Sequence, residues 1–254
     1  MPIVSKRHEE ILTILGSEGI VRVQDLAQRL QVSVETVRRD LRPLADRGTI
    51  LKMHGAVGLA HSGGEAPYER RMRENAKAKQ KIARAMAATV RNGETIMIDT
   101  GTTTSFLARA LAQHERLTII TNSTDIARTL AGRNDSKVLL AGGVVNGDSG
   151  AVLGHDAVAF VQRFHVDHAV ISAGAIGIDG VMDFEPDEAV FAREVLSLGQ
   201  RRVVISDLTK FTRSALVQVC DLSEVHQLFT EAKPETSIAA YLANAEVQLC
   251  GPFA

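Results

Sequence analysis

The residues Asp99-Thr100-Gly101-Thr102-Thr103-Thr104 follow the apolar run Ile96-Met97-Ile98 and precede the helical pattern SFLARAL. A strand that ends in such a turn sets Gly and Thr at the start of a helix. The unpaired amides of a helix N-terminus, together with the helix dipole, favour an anion there. Thr hydroxyls add donors, and Gly101 lets the backbone approach closely. The chemistry this stretch implies is the holding of a phosphate or carboxylate.

Other polar or glycine-bearing stretches also follow apolar runs. They are Thr121-Asn122-Ser123, Ala141-Gly142-Gly143, Ser172-Ala173-Gly174, Asp179-Gly180 and Ser206-Asp207-Leu208-Thr209-Lys210. In an open parallel sheet the ligand lies outside the carboxyl ends of the strands. The ends of several strands are therefore expected to converge on one crevice. Its candidate lining is Asp99, Gly101, Thr102, Thr103, Thr104, Thr121, Asn122, Ser123, Gly142, Gly143, Gly174, Asp179, Asp207 and Lys210. Asp and Lys among these leave acid–base chemistry open by residue type.

The elements that must position these residues alternate. Apolar runs occur at ETIMID, LTIIT, KVLLAG, HAVISAG, RRVVISD and HQLFT, and helix-like stretches separate most of them. This pattern predicts a mostly parallel sheet covered by helices over residues 76–254. Ahead of it, Tyr68 to Gly93 reads as one long helix stopped at Asn92-Gly93, and residues 59–75 read as a linker.

Residues 1–58 have a different grammar. Helical spacing recurs in Ile11, Leu12 and Leu15, in Leu26, Ala27 and Leu30, and in Val37, Leu41 and Leu44. TILKMHGAVGL then alternates as a small hairpin would. The second and third patterns meet at Val32-Ser33, which predicts a helix-turn-helix over about 20–39. Ser33 is a suitable N-cap. The exposed start of the next helix then carries Val34, Glu35, Thr36, Arg38 and Arg39. A recognition helix reads base edges with its N-terminal residues, and Arg pairs with guanine or holds phosphate. Ser33 and these five residues, with Lys52 and His54 of the hairpin, are the candidate DNA contacts. Pro43 removes one backbone bond from that helix and predicts a bend beyond its DNA-reading end. Up to residue 60, nine Lys and Arg stand against seven acids, a surplus of two positive charges, while the whole chain has a net charge of −1.

Composition bounds the class. Of 254 residues, 45% are hydrophobic and 23% charged, as in ordinary globular proteins. Cys220 and Cys250 form no disulfide framework or zinc motif. No apolar run approaches the ~20 residues of a membrane span, and MPIVSKRHEE has no signal-peptide core. A cytoplasmic protein without membrane partners is expected. The acids of Asp183 to Glu188 lack metal-ligand spacing, so no metal or cofactor is implied. His165 and His168 are expected at the surface.

Arg7, Ile11 and Leu15, then VSVETVRRDL and GTILKMHGAV, resemble the DeoR family of bacterial transcriptional regulators. The resemblance runs from about Arg7 to about Cys250. It implies an N-terminal winged helix-turn-helix and a larger α/β sugar-phosphate-sensor domain similar in fold to ribose-5-phosphate isomerase. It further implies that Thr102, Thr103 and Thr104 hold a phosphate, and that Asn122, Asp179, Glu188 and Lys210 line the rest of the pocket. Within the family, KVLLAGG, GDSGAVLG, MDFEPDEA and DLTKFTRSALVQV are most similar to repressors of glycerol-3-phosphate utilisation. Three departures stand out. Arg22-Val23 replaces the usual capped start of the second helix, HGAV replaces HGGA, and Ala192-Arg193 replaces Lys-Arg.

The reading that follows is a repressor acting as a homodimer or homotetramer. Double-stranded operator DNA and a phosphorylated sugar or polyol, with glycerol 3-phosphate favoured, are its partners. The alternative is a sugar-phosphate isomerase-like enzyme of the same fold. The winged head discriminates between them, because a free-standing metabolic isomerase has no use for one.

Overall fold

The computed structural model describes residues 6–18, 20–46, 49–53, 55–59 and 65–253, in two compact units, 1–66 and 67–254. His54 and residues 60–64 of the expected linker lie outside the described residues.

The first unit contains α1 (Lys6–Glu18), β1 (Ile20–Arg22), α2 (Val23–Arg29), α3 (Val34–Asp46), β2 (Ile50–Met53) and β3 (Ala56–Leu59). Ile11, Leu15, Leu26, Val37, Leu41, Leu44, Ile50 and Val57 form its core, so the apolar spacings of all three helices point inward. The wing is larger than the expected hairpin. Ile20 to Arg22 also pairs with β3, which gives an antiparallel sheet in the order β1-β3-β2. The helix α3 continues through Pro43 to Asp46 as one element.

The second unit is built on a seven-stranded sheet. Its helices α4 (Tyr68–Arg73) and α5 (Ala76–Ala87) precede β4 (Thr95–Ile98), α6 (Thr102–Leu111), β5 (Thr118–Thr121), α7 (Thr124–Leu130) and β6 (Lys137–Leu140). Then come α8 (His155–Val161), β7 (Val166–Ser172), β8 (Ala175–Gly177), β9 (Gly180–Asp183), α9 (Pro186–Ser197) and β10 (Gly199–Ile205). The chain closes with β11 (Val217–Cys220), β12 (Gln227–Phe229), α10 (Thr236–Asn244) and β13 (Gln248–Cys250).

The sheet order is β13-β12-β10-β7-β4-β5-β6, and every pairing in it is parallel. Strand alternation divides the core between its two faces. Ile96, Ile98, Ile119 and Val170 pack with α5, α6 and α7, while Met97, Ile120, Ala169 and Ile171 pack with α8 and α9. This is a helix–sheet–helix sandwich.

The pattern from Tyr68 onward forms two helices, not one. Asn75 adopts a left-handed conformation (φ 53°) and breaks it between Arg73 and Ala76. Asn enters this region more readily than most non-glycine residues, and here its side chain is held by Asp207 Oδ1 at 3.3 Å. The second helix stops at Ala87, ahead of Asn92-Gly93. Two further features escape the strand pattern: the short parallel strand β13, and a separate antiparallel sheet in the order β11-β9-β8.

Candidate functional site

The chain starts its sheet at β4, adds β5 and β6 on one side, then returns to place β7 on the other. The gap between the carboxyl ends of β4 and β7 is therefore the topological switch point, where open α/β sheets form their ligand crevice. The stretch Asp99 to Thr104 lies there. Asp99 accepts the Ser172 N–H on both carboxylate oxygens, at 3.2 and 3.3 Å. Gly101 packs so tightly against the end of β7 that a Cβ on it would lie 2.0 Å from Ser172 Oγ. Its φ of 179° is ordinary extended backbone, so space, not conformation, requires glycine.

Gly101 is also the N-cap of α6, and no side chain caps that helix. The first helical bond runs from Ser105 N–H to the Gly101 carbonyl (2.9 Å). The amides of Thr102, Thr103 and Thr104 therefore have no intrahelical acceptor. Thr104 Oγ1 donates to the Gly101 carbonyl (3.0 Å) and is engaged internally. Among the described residues, no hydrogen bond engages the hydroxyls of Thr102 and Thr103, which are 6% and 4% exposed residues. Ten residues of aligned dipole, three amides without an intrahelical acceptor and two uncommitted hydroxyls are the features that favour an anion at a helix N-terminus.

Acids lie near the start of this stretch. Burial pushes the Asp99 carboxyl well above the usual carboxylate range, and the charges of Asp183 and Glu188 push the same way. Asp183 ends β9, and its Oδ1 accepts the N–H groups of Phe184 (2.7 Å) and Glu185 (3.2 Å), ahead of α9. Glu188 lies in the first turn of α9. The switch point therefore carries both an open helix N-terminus and carboxyl groups that can accept from hydroxyls.

The remaining strand ends are mostly bracing. Asn122 accepts from Thr100 Oγ1 (3.0 Å) and donates to the Val152 carbonyl (3.0 Å), linking the ends of β4 and β5 to the loop after β6. Ser123 caps α7 by accepting from Ile126 N–H (3.3 Å), and Thr121 Oγ1 accepts from Ser123 N–H. Gly142 and Gly143 are exposed beyond β6, and Gly174 is buried against Asp183 and Phe184. Asp207 is 2% exposed and caps a 3-10 turn by accepting from Thr209 N–H. Lys210 lies in that turn, half-buried.

Asp179 is a correction. Asp179-Gly180 does not end a parallel strand. Gly177 pairs with Gly180, so Ile178-Asp179 lies in the turn of the β8–β9 hairpin, and Gly180, the residue just after it, takes the left-handed conformation (φ 95°). Asp179 is exposed there, and Asp183 is the acid whose charge reaches Asp99. The sequence cluster Asp183 to Glu188 contained that residue but gave no reason to prefer it.

His168 is a second correction. It is fully buried on β7, its Nε2 2.8 Å from Glu94 Oε2, and not at the surface. It pairs with β4 at Ile96, where the sheet interior leaves it no path to solvent. Cys220 and Cys250 are free, and burial pushes the Cys220 thiol up to about 12.

In the first unit, Ser33 Oγ accepts from Thr36 N–H (3.1 Å) and caps α3. Arg38 and Arg39 are exposed, and Arg38 makes only a loose, solvated pair with Glu35 (3.6 Å), of the kind worth ~0–1 kcal/mol. Arg7 Nε meets the mostly buried Asp40 Oδ2 at 2.5 Å and ties α1 to α3. Arg22, as the sequence implies, gives α2 no side-chain cap; instead Val23 N–H donates to the Gly55 carbonyl of the wing (3.0 Å). Lys52 is exposed on β2. At the third departure, Ala192 is buried in the core, and Arg193 reaches the carbonyls of Gln218 and Val219.

A winged helix-turn-helix with exposed arginines on its second helix, followed by an α/β sensor body, defines a DNA-binding transcriptional regulator and not an enzyme. Residues 7–63 match the DeoR-like helix-turn-helix domain and residues 74–232 the DeoR C terminal sensor domain. The chain belongs to the DeoR family. It is 34% identical to the HTH-type transcriptional repressor CsqR of Escherichia coli, over 97% of this chain and 95% of that one. It is 32% identical to the glycerol-3-phosphate regulon repressor of the same organism, over 96% and 98%. Among solved structures, ribose 5-phosphate isomerase A of Methanocaldococcus jannaschii aligns with a TM-score of 0.40 and 18% identity, covering 54% of this chain and 55% of that one. No helix of the described residues is long and apolar enough to cross a membrane.

Proposed function

We propose that this regulator represses an operon for catabolism of a carbohydrate or of glycerol phosphate, and that a phosphorylated sugar or polyol releases it from its operator. Glycerol 3-phosphate is the favoured effector, because one relative of nearly full coverage is named for that regulon. The protein acts in the cytoplasm as a homodimer or homotetramer. Two recognition helices then enter successive major grooves, about one helical turn of ~34 Å apart.

The observation that carries this reading is the uncapped N-terminus of α6 at the switch point between β4 and β7. The phosphate takes the amides of Thr102 to Thr104 and the hydroxyls of Thr102 and Thr103. The hydroxyls of the effector turn toward Asp99, Asp183, Glu188 and Lys210. For a tenfold loss of operator affinity, the effector must favour the weak-binding state by about 1.4 kcal/mol.

The test is a fluorescence-anisotropy titration of the protein on its own upstream DNA, repeated with glycerol 3-phosphate, fructose and tagatose phosphates, and the unphosphorylated compounds. Release by a phosphorylated compound alone is expected. Release by the unphosphorylated partner at equal concentration would contradict the phosphate assignment.

A further inference from the structure

The chain enters the second unit at Pro67 and at once forms α4, six residues of which only Tyr68 is buried. So short a helix has little stability of its own. What holds it is a set of hydrogen bonds to the strand-end loops around the crevice. Tyr68 N–H donates to Asp148 Oδ2 (2.9 Å), in the loop after β6. The Tyr68 hydroxyl shares a 2.6 Å hydrogen bond with Ser105 Oγ. At the far end of α4, the Asn75 amide donates to Asp207 Oδ1 (3.3 Å), in the loop after β10. The ammonium of the buried Lys79 donates to the carbonyl of Arg71.

The Ser105 contact is the informative one. Ser105 follows the three threonines, is fully buried, and closes the first turn of α6 through its own amide. The Tyr68 hydroxyl therefore touches the turn that receives the anion. Two buried hydroxyls in contact add nothing to packing that Phe and Ala would not supply, but they fix a distance. Burial also raises the Tyr68 phenol above its ordinary range.

We propose that Tyr68 and Asn75 are positioning residues that couple occupancy of the α6 N-terminus to operator affinity, by tying the first helix after the DNA-binding unit to the crevice loops. This rests on the effector reading above. An anion on the amides of Thr102 to Thr104 moves the first turn of α6 and with it Ser105. The Tyr68 hydroxyl carries that shift into α4, and the Asn75–Asp207 bond sets the point about which α4 moves.

The test uses the full-length protein, its upstream DNA and the same phosphorylated panel, with Tyr68→Phe, Asn75→Gly and the control Tyr241→Phe. Gly tolerates the left-handed conformation of residue 75, so Asn75→Gly removes the amide without straining the turn. Tyr241 donates its hydroxyl to the Ile178 carbonyl, outside the strap. Tyr68→Phe is expected to bind DNA and phosphorylated compound within about twofold of wild type. Its release factor is expected to fall from tenfold or more to below threefold, with a smaller loss in Asn75→Gly and none in the control.

Linkage requires the converse as well: DNA should cease to weaken binding of the phosphorylated compound in Tyr68→Phe. A purely structural role would lower both affinities and leave their ratio intact, which would overturn the proposal. So would full release of both strap variants. If no phosphorylated compound releases wild type, the effector reading itself fails and takes the coupling with it.

Discussion

Two helix N-termini in this molecule look alike in sequence and behave differently in structure. The helix α3 begins after Val-Ser and α6 after Thr-Gly. Ser33 accepts the Thr36 amide and closes its own helix. Gly101 has no side chain to do so, and α6 is left uncapped by any side chain. A helix that satisfies its own first turn presents side chains, here Glu35, Arg38 and Arg39, to whatever lies outside. A helix that leaves its amides open presents backbone. The first arrangement suits reading a duplex, where base edges are told apart by side-chain donors and acceptors. The second suits gripping a small anion of fixed shape.

The most damaging way to break this contrast is Gly101→Ala. Its Cβ would force Ser172 Oγ to rotate away and would still lie 3.1 Å from Ser172 Cβ and Thr104 Oγ1, an overpacking that costs ~1–3 kcal/mol and disturbs the first turn of α6. A lower melting temperature and loss of response to phosphorylated compounds are expected together.

Next in size is Arg38→Ala, which should weaken operator binding ten- to a hundredfold and lower the salt slope by about 1 if the contact is to phosphate. Binding of phosphorylated compounds should be unchanged by calorimetry. Thr103→Val keeps shape and removes one hydroxyl. About a tenfold weaker effector response with wild-type operator affinity is expected in the anisotropy assay. The smallest effect belongs to Ser33→Ala, which should cost the DNA-binding unit about 1 kcal/mol, read by chemical denaturation.

Acidity sharpens the contrast from the side of the crevice. The Asp99 pKa is raised in the folded protein. The native state therefore holds that proton more tightly, and stability falls as pH rises from the unfolded value through the folded one. Asp99→Asn should remove this loss, so its melting temperature should exceed wild type most at neutral pH and converge with it in acid.

What the sequence made legible was whatever is encoded within one or two turns. The strand-to-helix turn at Asp99 to Thr104, the Ser33 cap and the inward spacing of Val37, Leu41 and Leu44 depend on neighbours a few residues away. What it hid depends on partners far along the chain. Asp183 and Asp179 are equally acidic, and only the β8–β9 register puts one near Asp99 and the other on a turn. His168 reads as a polar residue near a strand start, and only the sheet interior makes it buried. The break at Asn75 lies inside a good helical pattern, where its bond to Asp207, 132 residues away, takes part. β13 is three residues long and carries too little periodicity to register.

The central claim is that the open end of α6 holds a phosphate. Its most direct test is calorimetric titration of the wild-type protein and Thr103→Val with glycerol 3-phosphate and with glycerol, extended to the fructose and tagatose pairs. At least one phosphorylated compound should bind wild type at least a hundredfold more tightly than its unphosphorylated partner, and Thr103→Val should lose about tenfold of that preference. Equal binding of the two partners, or a preference untouched by Thr103→Val, would contradict the account.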